Sequence, residues 1–248
     1  PMPHRHGFQR PLNLWQVGSW LVFAGCLASF YSVWLKFYDS EDRLWCIIIY
    51  SLLALLTSAA GIACTAKDPS DPSINDAKCR LNTDSTAGIW SICTSCSSRV
   101  KEDSRHCSLC NRCVANFDHH CKWLNNCIGR ANYIYFLGTT LSLCFLAAFQ
   151  MYTGIYVFVK KASKLKVYEG AVIVFFAAIC FIVIGACVHL LSLHLFLRLR
   201  GLTTYQYRQL KSRSQRVEDS PSQEAHQEQS STDVGCELNP HSSFKSTE

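Results

Sequence analysis

Charge is missing from long stretches of this 248-residue chain. No Asp, Glu, Lys or Arg occurs at 11–35, 44–66, 131–159 or 170–197. Each run exceeds the ~20 residues that carry a helix across a ~30 Å hydrocarbon core. Core helices of soluble proteins rarely stay charge-free over such lengths, so the absence argues against a soluble globular protein and predicts four transmembrane helices. The first run is too long for the apolar region of a signal peptide, and nothing resembling a cleavage site follows it, so it reads as a true span. No span carries a mid-membrane charge, which weighs against ion conduction or transport. No basic stripe is present, so the formal charge of +6 fits anionic lipid headgroups, and nucleic acid is not an expected partner. No internal repeat is evident.

A second absence lies between the spans. From Cys79 to Arg130 the chain has no sustained hydrophobic period and cannot build a conventional core, so a domain this small needs staples. The Ser-, Gln-, Glu- and Asp-rich tail after about Lys211 reads as disordered. The chain thus divides into an N-terminal tail (1–10), helices 1 and 2 (11–66), a cysteine-rich domain (67–130), helices 3 and 4 (131–197) and a C-terminal segment (198–248).

Four spans place both termini and the 67–130 loop on one side. These segments hold 18 of the 24 Lys and Arg, which puts them in the cytosol by the positive-inside rule. The run "KKASKLK", Lys160 to Lys166, is the exception, with four lysines in a short loop on the other side. Trp15, Trp20 and Trp34 sit toward the ends of the first span, where indoles favour the headgroup region. Two Asp-Pro-Ser steps in "TAKDPSDPSIND" stop the second span and begin the cytosolic domain.

What is abundant is cysteine, 15 in all. The cytosol keeps thiols reduced, so the cluster from Cys93 to Cys127 reads as a zinc domain rather than a disulfide framework. Its paired Cys-x2-Cys steps let two thiolates reach one ion. The window holds seven cysteines (93, 96, 107, 110, 113, 121, 127) and three histidines (106, 119, 120). Two closed tetrahedral sites need about eight donors, so two are left over. If "DHHC" is extended, His119 and Cys121 share one face and His120 points to the other. His120 can then bind zinc while His119 meets Cys121, with Asp118 orienting the imidazole: the arrangement of an activated thiol. On spacing alone the alternative stands, with Cys121 a ligand and His119 a bystander. The other span cysteines (26, 46, 64, 144, 180, 187) read as small hydrophobes. Cys79 and Cys236 are exposed candidates for modification. His189 and His194, near the end of the fourth span, read as solvated or packing residues rather than functional ones. Small residues of the third span, Gly138, Ala147, Ala148 and Gly154, read as helix-packing positions.

The cysteine-rich loop between two pairs of spans resembles the DHHC-type zinc-finger protein S-acyltransferases, over roughly 14–207. The resemblance implies two interleaved zinc sites, Cys93, Cys96, His106 and Cys113 in one and Cys107, Cys110, His120 and Cys127 in the other. It implies a catalytic triad of Asp118, His119 and Cys121. The family's Asp-Pro-Gly appears as "DPS" (68–70), its Thr-Thr-x-Glu as "TTYQ" (203–206), and Lys122 follows Cys121 where many members have Pro. Thr203, Thr204 and Asn132 match supporting positions, with Thr204 a candidate to contact Asp118. The run "FDHHCKWLNNC" looks most like a subgroup carrying this lysine. The implied activity is transfer of palmitoyl or another long-chain acyl group from acyl-CoA, through an acyl-cysteine enzyme, to cytosolic cysteines of membrane-associated proteins. Lys122, Arg112 and Arg130 are candidate contacts for CoA phosphates. The expected setting is an endomembrane, ER or Golgi, with the site facing the cytosol. The departures at "DPS", Lys122 and "TTYQ" keep a second reading open, a zinc-stabilised membrane scaffold with little turnover.

Overall fold

The computed structural model describes residues 3–75 and 90–216. Cys79 and Cys236 lie outside them. Four helices follow the four uncharged runs: α1 (Leu14–Ser32), α2 (Ser40–Ala66), α3 (Tyr133–Lys161) and α4 (Val167–Leu199). Each is long and apolar enough to cross a membrane, which marks an integral membrane protein. Packing places α3 between α2 and α4.

The helix bundle is tied together in two ways. Phe30 of α1 stacks on Tyr50 of α2 with ring centroids 3.7 Å apart, inside a cluster that includes Leu146, Val157 and Ile173. Polar side chains cross-link the same helices: Tyr50 donates to Gln150 Oε1 at 2.8 Å, and Gln150 Nε2 reaches Ser29 Oγ at 3.2 Å. Such groups must find partners inside the bundle because lipid offers none. Trp34 corrects its expectation. It lies in a 3-10 turn after α1 (Trp34–Phe37) and is fully buried in this cluster, not at the headgroups. A Cβ on Gly154 would sit 3.2 Å from its indole nitrogen, so this glycine serves close packing, as expected. Lys160 and Lys161 fall in the last turn of α3, where cations complement the helix dipole. Lys161 lies 3.8 Å from Asp39 and Lys36 lies 3.4 Å from Glu169. The helix end and Asp39 give Lys160 and Lys161 of the "KKASKLK" run local reasons to be where they are.

Between α2 and α3 the described chain forms three two-stranded antiparallel hairpins: β1–β2 (Trp90–Cys93, Ser98–Lys101), β3–β4 (Arg105–Cys107, Arg112–Val114) and β5–β6 (His119–Cys121, Asn126–Ile128). They are one unit used three times, which corrects the expectation of no internal repeat. The residue pairs closing the turns, Cys93–Ser98, Cys107–Arg112 and Cys121–Asn126, recur every 14 residues. So do the left-handed turn residues Ser97, Asn111 and Asn125, at φ 48°, 48° and 50°. Asn tolerates that conformation better than most side chains.

Buried polar side chains weld these hairpins to the bundle. Asn126 Nδ2 lies 3.0, 3.2 and 3.0 Å from the carbonyls of Cys64, Thr65 and Lys67, covering groups that the end of α2 leaves without helical partners. Asn132 donates to Cys64 O at 3.3 Å and Cys127 O at 2.9 Å, and accepts from Gly129 N at 3.0 Å. The N-terminal segment joins in: Gly7 N donates to Thr65 O at 2.8 Å and His4 N to Cys110 O at 2.9 Å. A Cβ at Gly7 would collide with the Leu124 carbonyl, so the close approach needs glycine.

By contacts the chain splits into Pro1–Tyr205 and Gln206–Glu248. In the second unit residues 206–216 are helical, five residues past the point where structure was expected to end. The rest of that tail lies outside the described residues.

Candidate acyl-transfer site and zinc centres

The repeat explains which side chains meet. In each hairpin the last residue of the first strand is a cysteine, and in hairpins two and three the residue before it is a histidine, His106 or His120. Strand alternation turns neighbours to opposite faces, so each histidine serves the preceding cluster while the cysteine after it begins the next. His106 Nδ1 lies 3.7, 3.3 and 3.9 Å from the sulfurs of Cys93, Cys96 and Cys113. His120 Nδ1 lies 3.9, 3.3 and 3.7 Å from those of Cys107, Cys110 and Cys127. The Cys113–Cys96 and Cys127–Cys110 sulfurs are 3.7 and 3.5 Å apart. A tetrahedral zinc with ordinary bond lengths has S–S edges of about 3.8 Å and S–N edges of about 3.5 Å. Both quartets fit that ion, and the interleaved sets expected from the resemblance are the sets the fold brings together. No cysteines are joined as disulfides among the described residues.

The remaining donors sit on the other face of β5. His119 Nδ1 is 2.7 Å from Asp118 Oδ2, and the Thr204 backbone N–H donates to Asp118 Oδ1 at 2.9 Å. Burial pushes the Asp118 carboxyl up, but the bonds from His119 and Thr204 outweigh it and leave it below its usual value. Burial pushes His119 down, yet its bond to Asp118 and the nearby Cys121 sulfur win and raise it to about 9. Cys121 is 7% exposed. Its surroundings are membrane-helix side chains: Cys64 from α2, Tyr133, Phe136 and Leu137 from α3, and Leu190 from α4. The thiol therefore stands where the hairpins meet the apolar bundle.

Other expectations divide. Thr204 reaches Asp118 through its backbone rather than its side chain, and Thr203 precedes it on the same loop. Asn132 is fully buried at the joint between β6 and α3. Lys122 is exposed, and Arg130 is 60% exposed at its side chain while pairing with Asp103 at 2.6 Å. Arg112 corrects its expectation as a phosphate contact. It is 2% exposed, and its guanidinium donates to Asp68 Oδ1 at 2.8 Å, Arg5 O at 2.6 Å and Asn126 Oδ1 at 2.7 Å. "DPS" is explained at the same place. Ser70 is not at positive φ, so glycine is not required, and both its N–H and its hydroxyl donate to Asp68.

His194 departs from the expectation of a residue without a functional role. It is 2% exposed, as a packing residue should be, but it packs at the site: its ring centroid is 6.0 Å from that of His119 and its Nδ1 is 3.0 Å from Tyr133 Oη. Arg198 lies 4.6 Å above the Tyr133 ring. At 33 residues, α4 is about 50 Å long, enough to span the bilayer and still bring its last turns to the third hairpin. The signal in the sequence was an ionisable residue on a span, which is a functional candidate by default. His189, one turn and a half earlier, is exposed.

Two Cys3His clusters that could hold zinc and a buried carboxylate–imidazole pair beside a thiol, all carried between membrane helices, define a polytopic membrane protein with a cysteine-rich domain. The family model for the DHHC palmitoyltransferases matches residues 87–211, and the chain belongs to that family. No curated protein matches it.

Proposed function

We propose that the protein is a protein-cysteine S-palmitoyltransferase that works through an acyl-enzyme on Cys121. The observation that carries this reading is the 2.7 Å Asp118–His119 pair on the same strand face as a thiol packed against α2, α3 and α4. In the first step His119 takes the Cys121 proton and the sulfur attacks the thioester carbonyl of acyl-CoA. The bond to the CoA sulfur breaks, and His119 returns the proton to the leaving thiolate. In the second step a substrate cysteine gives its proton to His119 and attacks the acyl-enzyme. Cys121 leaves as thiolate and recovers that proton. Asp118 orients His119 and stabilises its cation, and Thr204 fixes Asp118. Thioester exchange is nearly balanced in energy, so the site contributes mainly orientation, worth ~7–11 kcal/mol in favourable cases.

The bound zinc ions would hold the hairpins in shape and do no chemistry. Acyl chains gain ~0.8 kcal/mol per buried CH2, which favours a thiol placed against the helix bundle. Lys122 beside the thiol is the preferred cation for CoA phosphates, with Arg130 further along. Substrates are membrane-associated proteins presenting cytosolic cysteines, and the expected compartment is ER or Golgi. Against the scaffold reading, Ser70 makes the "DPS" turn without glycine and Thr204 still meets Asp118; Gln206 and Lys122 are the departures that remain in its favour.

The test is labelling of purified protein with a palmitoyl-CoA analogue. Wild type should carry hydroxylamine-sensitive label and pass it to a cysteine-containing membrane substrate, and Cys121→Ser should not. Equal labelling of both proteins would remove Cys121 as nucleophile.

A further inference from the structure

Besides the two Cys3His clusters, Asp118, His119 and His194 each offer a ligand atom within 4.8 Å of the others, the limit that also holds within each zinc quartet. These three residues come from two parts of the fold, the third hairpin and the end of α4. Asp118 and His194 are buried, and His119 nearly so. Tyr133 Oη sits 3.0 Å from His194 Nδ1. When that nitrogen donates to the phenol, Nε2 keeps its lone pair for a metal, the usual way an outer partner sets a ligand tautomer. A carboxylate and two imidazoles form a donor set that suits a zinc-class ion, with a position left open.

We propose that Asp118, His119 and His194 form a third site for a divalent transition-metal ion, exchangeable and inhibitory. The two structural quartets bring three thiolates each, whereas this one brings none. It therefore binds more weakly and fills only when free metal rises. An ion held by Asp118 and His119 breaks the 2.7 Å bond that orients the base and covers the approach to the neighbouring Cys121 thiol. Acyl transfer stops until the ion leaves. The inhibitory part rests on the acyl-transfer reading of the same residues. Binding itself does not.

The experiment uses full-length protein in detergent, loaded with its two structural zinc ions and titrated with Zn2+ from a metal buffer. Bound metal is counted, Cys121 is probed with a maleimide, and autoacylation is followed in parallel. Wild type should bind a third ion per chain, protect Cys121 from the maleimide over the same range, and lose autoacylation with the same midpoint. A mild chelator should reverse all three while two ions remain. His194→Ala should need at least about tenfold more free zinc for each effect, a loss of about 1.4 kcal/mol, with its activity scaled to its own metal-free rate. A count that stays at two in wild type overturns the proposal. So does a third ion that leaves Cys121 unprotected, or one that binds His194→Ala with unchanged affinity. If His194→Ala does not fold, the count and the protection in wild type decide alone. A third ion that protects Cys121 in a protein with no metal-free acyl transfer would keep the site and discard the acyl-transfer reading.

Discussion

Leu124 occupies in the third hairpin the place that Cys110 occupies in the second. Cys96 holds that place in the first. The first position of the turn is cysteine in all three, at 93, 107 and 121. Cys121 is thus the leading thiol of a metal-binding turn whose second thiol has been replaced by a hydrocarbon. Leu124 also packs in the apolar cluster around Cys121. One substitution accounts for a free thiol and for the apolar wall beside it.

Restoring the missing thiol tests that account. Leu124→Cys should make autoacylation far more sensitive to added zinc, by about tenfold or more in concentration, because a second thiolate joins Cys121 at the spacing that binds metal elsewhere in the chain. Chelation that spares the structural ions should restore activity. Zinc sensitivity equal to that of wild type would show that the three turns are not interchangeable. Leu124→Ala is the control for lost packing, which should lower activity without adding metal sensitivity.

The adjacent histidines should fail in different ways. His119→Ala should lower acyl transfer by ~10²–10⁴-fold, the usual contribution of a positioned base, with two zinc ions retained. His120→Ala should lose one ion and much of the folded state, since structural zinc binding is worth ~10–16 kcal/mol in small domains. Metal counts and labelling on the two proteins decide this. Lost zinc in His119→Ala would break the division of labour between the faces of β5.

The helices were legible because little besides a membrane span keeps a run of that length free of charge. A metal-binding cluster was legible because the Cys-x2-Cys spacing is written in the chain, but its division into two interleaved quartets followed only from the family resemblance. What escaped the sequence depended on long-range joints. Arg112 looks like any surface cation in "NRC", yet it is buried because Asp68, Arg5 and Asn126 converge on it from three segments. Trp34 looked like an interface anchor, but a 3-10 turn folds it back into the bundle. His194 is an ionisable residue on a span, but nothing in α4 alone shows that its end reaches the third hairpin. The 14-residue repeat was in the sequence all along, hidden because its turn positions vary as Ser or Asn and as Cys or Leu.

Arg112 and Lys122 provide a matched pair. Arg112→Ala leaves Asp68 and Asn126 without their shared donor, and should cost about 2–4 kcal/mol of stability, below the upper range for buried pairs because Asp68 is partly exposed. Lys122→Ala should leave stability within about 0.5 kcal/mol, as exposed sites usually do. It should instead raise the KM for acyl-CoA, with kcat less affected. Thermal unfolding in detergent and acyl-CoA titrations separate the two. A raised KM in a fully stable Arg112→Ala protein would return Arg112 to the phosphate site.

Asp71, in the second Asp-Pro-Ser step, anchors the first hairpins as Asp68 anchors Arg112. Its carboxylate accepts from Ser73 N at 2.9 Å, from Lys101 N at 3.1 Å and from Ser104 Oγ. Burial pushes the carboxyl up, but the bonds from Ser104, Ser73 and Lys101 prevail and hold it below its ordinary value. A depressed folded value means that the added stability is fully present above the unfolded value of about 3.9 and is lost as pH falls through the folded one. Asp71→Asn, with a single acceptor oxygen, should therefore lower the melting temperature and weaken zinc retention in the first quartet. The deficit should be the same at pH 6 and pH 8, because the carboxylate is ionised in both folded and unfolded chains over that range. Melting curves of the two proteins at both pH values check this. A deficit that grows or shrinks between them would mean that some other titrating group carries the effect.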